Sequence, residues 1–206
     1  MYINANVYED LYLKGQSIDA VEREVVKMRA ELRRLKYNME SPANHSNNFS
    51  KYPSDIESIN VTREYLNRAL LYFAELKGDN SVLTEEERVS ATLRSMRMCL
   101  VSITLKMGEF TYIIDVVNGK VVAERNGDVV SERIHDRSQL ISAISDIRIE
   151  EWREVYLAED YGCTLIDPEP WSLEVNYADE IAPHTHRGEG VYPYNFNSLR
   201  RLLRIN

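Results

Sequence analysis

Cysteine is scarce in this chain: Cys99 and Cys163 are the only two thiols in 206 residues. They form no C-x-x-C pair and no disulfide framework, which excludes a thiol-ligated metal knuckle, a thioredoxin-like redox pair and a stapled secreted scaffold. Six prolines and eight glycines are too few for a collagen-like or low-complexity chain. No apolar run approaches the ~18 residues of a spanning helix, so no membrane partner is expected. The start, MYINANVYED, has neither a basic n-region nor an apolar core and reads as no secretory signal. A reducing cytoplasm is the expected compartment. P-loop, G-x-G-x-x-G, G-x-S-x-G, H-E-x-x-H and EF-hand patterns are all missing. The expectation is therefore a protein that is not an enzyme, with no cofactor and no catalytic, cofactor-binding or metal residues.

What is present is charge, unevenly placed. The net charge is −8, and 44% hydrophobic content leaves ample material for a buried core. Between Asp146 and Glu180 stand eleven acids: Asp146, Glu150, Glu151, Glu154, Glu159, Asp160, Asp167, Glu169, Glu174, Asp179 and Glu180. Only Arg148 and Arg153 oppose them, so this segment alone carries −9, while Arg200, Arg201 and Arg204 reverse the sign near the end. Such a segment repels phosphate, so no direct nucleic-acid binding is expected of it. It is attracted to a protein whose own surface is basic. These eleven acids are the candidate partner-binding residues.

The strongest periodic signal lies in residues 18–39. Ile18, Val21, Val25, Met28, Leu32, Leu35 and Met39 step alternately by three and four, the spacing of a coiled-coil seam. With Ile18 at position a, Glu24 and Glu31 fall at g and Arg29 and Lys36 at e, a complementary set for a parallel pair. The seam predicts self-association into a homodimer; an intramolecular hairpin packed on its own domain is the competing reading. A second helix is marked by the capping box Ser54-x-x-Glu57 and the stop at Gly78, with Ile59, Thr62, Leu66, Ala69, Phe73 and Leu76 along one side. The Asn-, Ser- and Pro-rich stretch 41–53 reads as the loop between them. Residues 1–80 are thus expected to form a helical hairpin or coiled-coil association region.

Residues 81–206 change period. Thr84-x-x-Glu87 caps a short helix through about Thr92. Residues 98–107, 110–117, 120–125 and 129–134 read as a strand meander with Asn118-Gly119 and Asn126-Gly127 as turns. A helix is predicted from Ser138 to about Ile147, and a second short one around Glu150–Val155. The segment 171–177 alternates, putting Trp171, Leu173, Val175 and Tyr177 on one side, and 184–188 is a candidate partner strand. Asn195 or Asn197 is expected to cap a final helix. The fold class is α+β: a two-helix hairpin, then an antiparallel sheet with helices on one face.

The order Trp152, Asp167…Trp171, Trp171-Ser-Leu-Glu-Val-Asn-Tyr177 and Gly188…Tyr192-Pro193-Tyr194-Asn195-Phe196 resembles a domain of many uncharacterised proteins from Firmicutes and their mobile elements. The resemblance covers roughly 95–206. It implies an α+β domain in a bacterial host cytoplasm and brings no catalytic residues with it. This chain has Pro168-Glu169-Pro170 where that pattern carries a turn glycine.

Three functions from different classes fit these features. The first is a non-enzymatic protein-binding module, in its sharpest form an inhibitor of the anti-CRISPR or anti-defence kind. It would lay its acidic segment on the basic nucleic-acid surface of a nuclease. The second is a metal- or nucleotide-dependent enzyme using His184 and His186, whose spacing puts both rings on one side of an extended segment. The third is a bacterial oligomeric scaffold or regulator.

Overall fold

A computed structural model describes residues 2–44, 54–78, 82–178 and 181–205. The chain divides into two compact units, one of residues 1–40 with 44–87 and one of residues 41–43 with 88–206. Among the described residues no helix is long and apolar enough to cross a membrane.

The first unit is built on α1 (Ala5–Tyr12), α2 (Ile18–Glu40) and α3 (Asp55–Lys77). The α3 boundaries follow its capping chemistry. Ser54 Oγ accepts the Glu57 amide at 3.2 Å, and Gly78 closes the helix in the left-handed region with its amide on the Ala74 carbonyl. α1 carries no sequence signal beyond its Asn4 cap, yet it completes the core: Tyr8 stacks on Tyr65 at 4.2 Å and Leu13 is fully buried.

The α2 seam closes within the chain. Val21, Val25 and Met28 are buried in one cluster with Leu66, Ala69, Leu70 and Phe73 of α3. Leu35 is buried, Leu32 and Met39 are half-buried, and Ile18 is exposed. The flanking charges are engaged as well. Arg29 grips Glu87 at 2.6 and 2.8 Å, Glu31 pairs with Arg34, and Glu24 accepts the Tyr8 hydroxyl. Spacing specifies only that a stripe must be covered; here its middle, Val21, Val25 and Met28, is covered from within the chain. Residues 45–53 of the expected 41–53 loop lie outside the described residues.

The second unit is a seven-stranded sheet of order β4-β3-β2-β1-β6-β7-β5. Its strands are β1 (Leu100–Met107), β2 (Phe110–Asp115), β3 (Lys120–Arg125), β4 (Asp128–Ile134), β5 (Val155–Tyr156), β6 (Pro170–Tyr177) and β7 (His184–Glu189). All neighbours are antiparallel except β5 with β7. Of the three meander turns two are the Asn-Gly pairs, where Gly119, Asn126 and Gly127 have positive φ, and the first is Gly108-Glu109, where Gly108 does. Strand β1 starts at Leu100, because α4 (Glu85–Ser95) runs past Thr92 and a 3-10 turn takes Met96–Cys99. The helix expected around 150–155 is a shorter 3-10 turn, Ile149–Glu151, followed by β5. Helices α5 (Arg137–Ile147) and α6 (Phe196–Leu203) lie on one face of the sheet, over Ile103, Leu105, Ile114, Leu173 and Val175.

Both tryptophans sit at the centre of this core. The Trp171 Nε1–H donates to the Val191 carbonyl at 2.7 Å, and Trp152 Nε1–H to Asn195 Oδ1 at 2.7 Å. Asn195 in turn donates to the Ile147 carbonyl. Asn195 therefore ties α5 to α6 and makes no side-chain cap bond. A methyl group added at Gly188 would lie 2.6 Å from Trp171 Nε1 and 2.7 Å from the Val191 carbonyl oxygen. Gly188→Ala is expected to cost this unit about 1–3 kcal/mol, the usual range for overpacking. Urea unfolding followed by tryptophan fluorescence measures it, since both indoles report this unit alone.

Candidate functional site

The acidic segment is held on an aromatic platform. Trp152, Trp171, Tyr192 and Phe196 contact one another with ring centroids 4.8–6.4 Å apart. Arg153 lays its guanidinium over Tyr156 at 4.5 Å and Tyr161 at 5.3 Å and pairs with Asp160 at 3.3 Å. This fixes the chain from residue 152 to 161 and gives the next stretch, 162–170, a firm base.

That stretch is an irregular loop leading into β6. Asp167 has a φ of +50, so the aspartate itself takes the left-handed turn position for which glycine is the usual choice. The loop returns onto Gly190, whose amide donates to the Glu169 carbonyl at 2.9 Å. A Cβ at Gly190 would meet Leu165 Cδ1 at 2.7 Å and Pro168 Cβ at 3.0 Å. At the tip Ile166 is 97% exposed, next to Asp167 and close to Glu169 in sequence. No sequence signal marks Ile166, because one apolar residue in a loop has no period.

The acids do not all act alike. Glu150 and Glu151 are largely buried and neutralised: Arg94 reaches them at 2.9 and 3.3 Å, and Arg148 adds a contact to Glu151 at 3.4 Å. Asp160 is held by Arg153. Glu174 faces outward from β6 and accepts from Asn176. Asp146, Glu154, Glu159, Asp167 and Glu169 are exposed and make no ion pair among the described residues. Asp179 and Glu180 lie outside the described residues. Glu154 and Glu174 line a groove of about 390 Å³ on the open face of the sheet, with Lys106 and Arg187.

No family model, no curated protein and no solved structure matches this chain. Its function has to be read from its own chemistry.

Of the two histidines, His186 is enclosed in the fold. His186 is 0% exposed and places Nδ1 2.9 Å from the Arg153 carbonyl oxygen. A carbonyl only accepts, so Nδ1 carries the proton. Nε2 is enclosed without a hydrogen-bond partner among the described residues. His184 stands edge-on to it at 4.7 Å, and Trp152 does the same at 5.6 Å. No group of three or more His, Cys, Asp or Glu side chains among the described residues is arranged to hold a metal ion.

Burial pushes the His186 imidazole down to about 4, with His184 assisting and the bond to Arg153 opposing. A folded-state value below the unfolded 6.5 means that the native state resists protonation. Its contribution is complete above pH 6.5 and is lost as pH falls toward 4. Between pH 7 and pH 5 the expected loss is about 2 kcal/mol. His186→Asn places an amide N–H where Nδ1 donates to the Arg153 carbonyl and cannot titrate, so comparing its urea midpoints with wild type at the two pH values isolates this share. Equal slopes would assign the acid sensitivity elsewhere.

Proposed function

We propose that this chain is a non-enzymatic protein-binding module of a bacterial cytoplasm, and that the segment from Glu154 to Glu169 is its recognition surface. The observation that carries the reading is the coexistence of unpaired carboxylates and a fully exposed apolar anchor on a firm support. Glu154, Glu159, Asp167 and Glu169 face solvent, and Ile166 projects immediately before the last two acids in sequence. Structural acids are paired, as Glu150 and Glu151 are; these four are not. An exposed isoleucine gives a partner a small apolar contact, and the surrounding charge gives orientation and a faster encounter.

The partner that fits is a protein with a basic surface. In the sharpest form it is a nuclease whose nucleic-acid groove the acids occupy, which makes this chain an inhibitor of the anti-CRISPR or anti-defence kind. The same charge opposes direct binding of DNA or RNA. The reading does not include a homodimer through the α2 seam, since Val21, Val25 and Met28 are already buried against α3.

The test is affinity capture from a bacterial lysate with the intact chain and with a variant carrying Glu154→Lys, Glu159→Lys, Asp167→Lys and Glu169→Lys. All four positions are exposed, so the variant is expected to keep its unfolding midpoint. The captured protein should bind nucleic acid, lose affinity for wild type by about tenfold or more from low to high salt, and be missed by the variant. A partner retained equally by both proteins would sink the proposal. Ile166→Asp separates the apolar anchor from the charge: it should raise the dissociation rate and leave the salt dependence intact.

A further inference from the structure

At the end of the sheet away from that loop, the chain forms a small amphipathic pocket that the binding reading does not use. It lies between α5, the start of β1, the end of β6 and the 3-10 turns at 96–99 and 149–151, and has a volume of about 180 Å³. Its floor is aliphatic: Leu100, Ile103, Ile141, Ile144, Ile149 and Val175 are each at most 8% exposed. The irregularity in the β1–β6 register between Leu100 and Ser102 falls beside it.

The rim is charged in both senses. Arg94 and Arg148 are occupied by Glu150 and Glu151. That leaves two exposed rim charges without an ion pair among the described residues, Arg97 and Asp146. Ser145, beside Asp146, spends its hydroxyl proton on the Ile141 carbonyl at 2.8 Å and meets a ligand only as an acceptor. The rim therefore offers acceptors at Ser145 and Asp146 and donors at Arg97. A lone carboxylate would answer Arg97 and leave Asp146 unanswered; a lone ammonium would do the reverse. A zwitterion answers both, and an aliphatic side chain suits the floor. The volume, room for about six water molecules at ~30 Å³ each, admits a branched chain of about four carbons and excludes a nucleotide.

We propose that this pocket binds a branched aliphatic α-amino acid, with its carboxylate on Arg97, its ammonium on Asp146 and Ser145, and its side chain over Ile103 and Ile144.

Isothermal titration of the full chain with L-leucine tests it. Saturable one-site binding is expected. Isocaproate, which lacks the ammonium, and isopentylamine, which lacks the carboxylate, should each bind at least about tenfold more weakly, as should leucine to Arg97→Ala and to Asp146→Asn. Both substitutions are at exposed positions, so folding is not at risk, and neither residue belongs to the four acids reversed in the capture experiment. Ile144→Trp fills the floor and should abolish binding; the two rim variants decide the matter if that protein does not fold. No saturable heat with leucine, or isocaproate binding as tightly as leucine, would overturn the assignment.

Discussion

The Trp171 indole approaches the backbone of Gly188 more closely than any side chain at that position would allow. Much of the α+β unit is arranged around this approach. It sets β6 against β7, and the indole N–H reaches past the strand to the Val191 carbonyl, where the chain leaves the sheet toward α6. Phe196, at the start of α6, closes on the same ring at 5.1 Å, and Trp152 meets it edge-on at 6.4 Å. A buried indole N–H without an acceptor would cost about 1–3 kcal/mol. Its bond to a main-chain carbonyl thus locks a path of the backbone as well as a side-chain position.

This platform explains how so acidic a segment can be ordered. The carboxylates nearest the core, Glu150 and Glu151, are paid in full by Arg94 and Arg148, and Asp160 by the arginine that lies across two tyrosine rings. Glu154, Glu159, Asp167 and Glu169 lie on connections and Glu174 on the outer face of β6, where water solvates them. Packing energy comes from aromatic burial and not from charge, so the exposed carboxylates are free to differ without loss of the fold.

The parts of this architecture that were legible in the sequence share a local cause. Ser54 with Gly78, Thr84 with Glu87, and the two Asn-Gly turns each satisfy backbone groups within a few residues, and each appears where its chemistry places it. The alternation of Trp171, Leu173 and Val175 marked a half-buried strand correctly, and 184–189 does pair with it. What could not be read depends on distant partners. The α2 stripe had to be covered, but spacing alone does not say whether α3 or another chain covers it. Asn195 stands at the N-cap position of α6 as expected, but its side chain joins Trp152 to the Ile147 carbonyl, residues more than forty positions away. The acids formed one run in sequence, yet the fold divides them by whether an arginine reaches them; Arg94 lies over fifty residues from Glu150.

The open face of the sheet shows how charge is accommodated where no helix covers it. Across β1, β6 and β7 one row reads Lys106, Ser172, Arg187 and the next reads Thr104, Glu174, Thr185. Every charged side chain in these two rows thus has neutral hydroxyl residues directly beside it on the neighbouring strand. The closest like charges, Lys106 and Arg187, are separated by a full strand, roughly 9–10 Å between backbones. Glu174 sits diagonal to both cations, at the ~7–8 Å spacing where opposite charges still attract. Strand pairing among β1, β6 and β7 therefore proceeds without like charges in direct register. These two rows hold two cations and one anion, and the carboxylates of Glu154, Glu159, Asp167 and Glu169 are left to the connections outside the strands and α-helices.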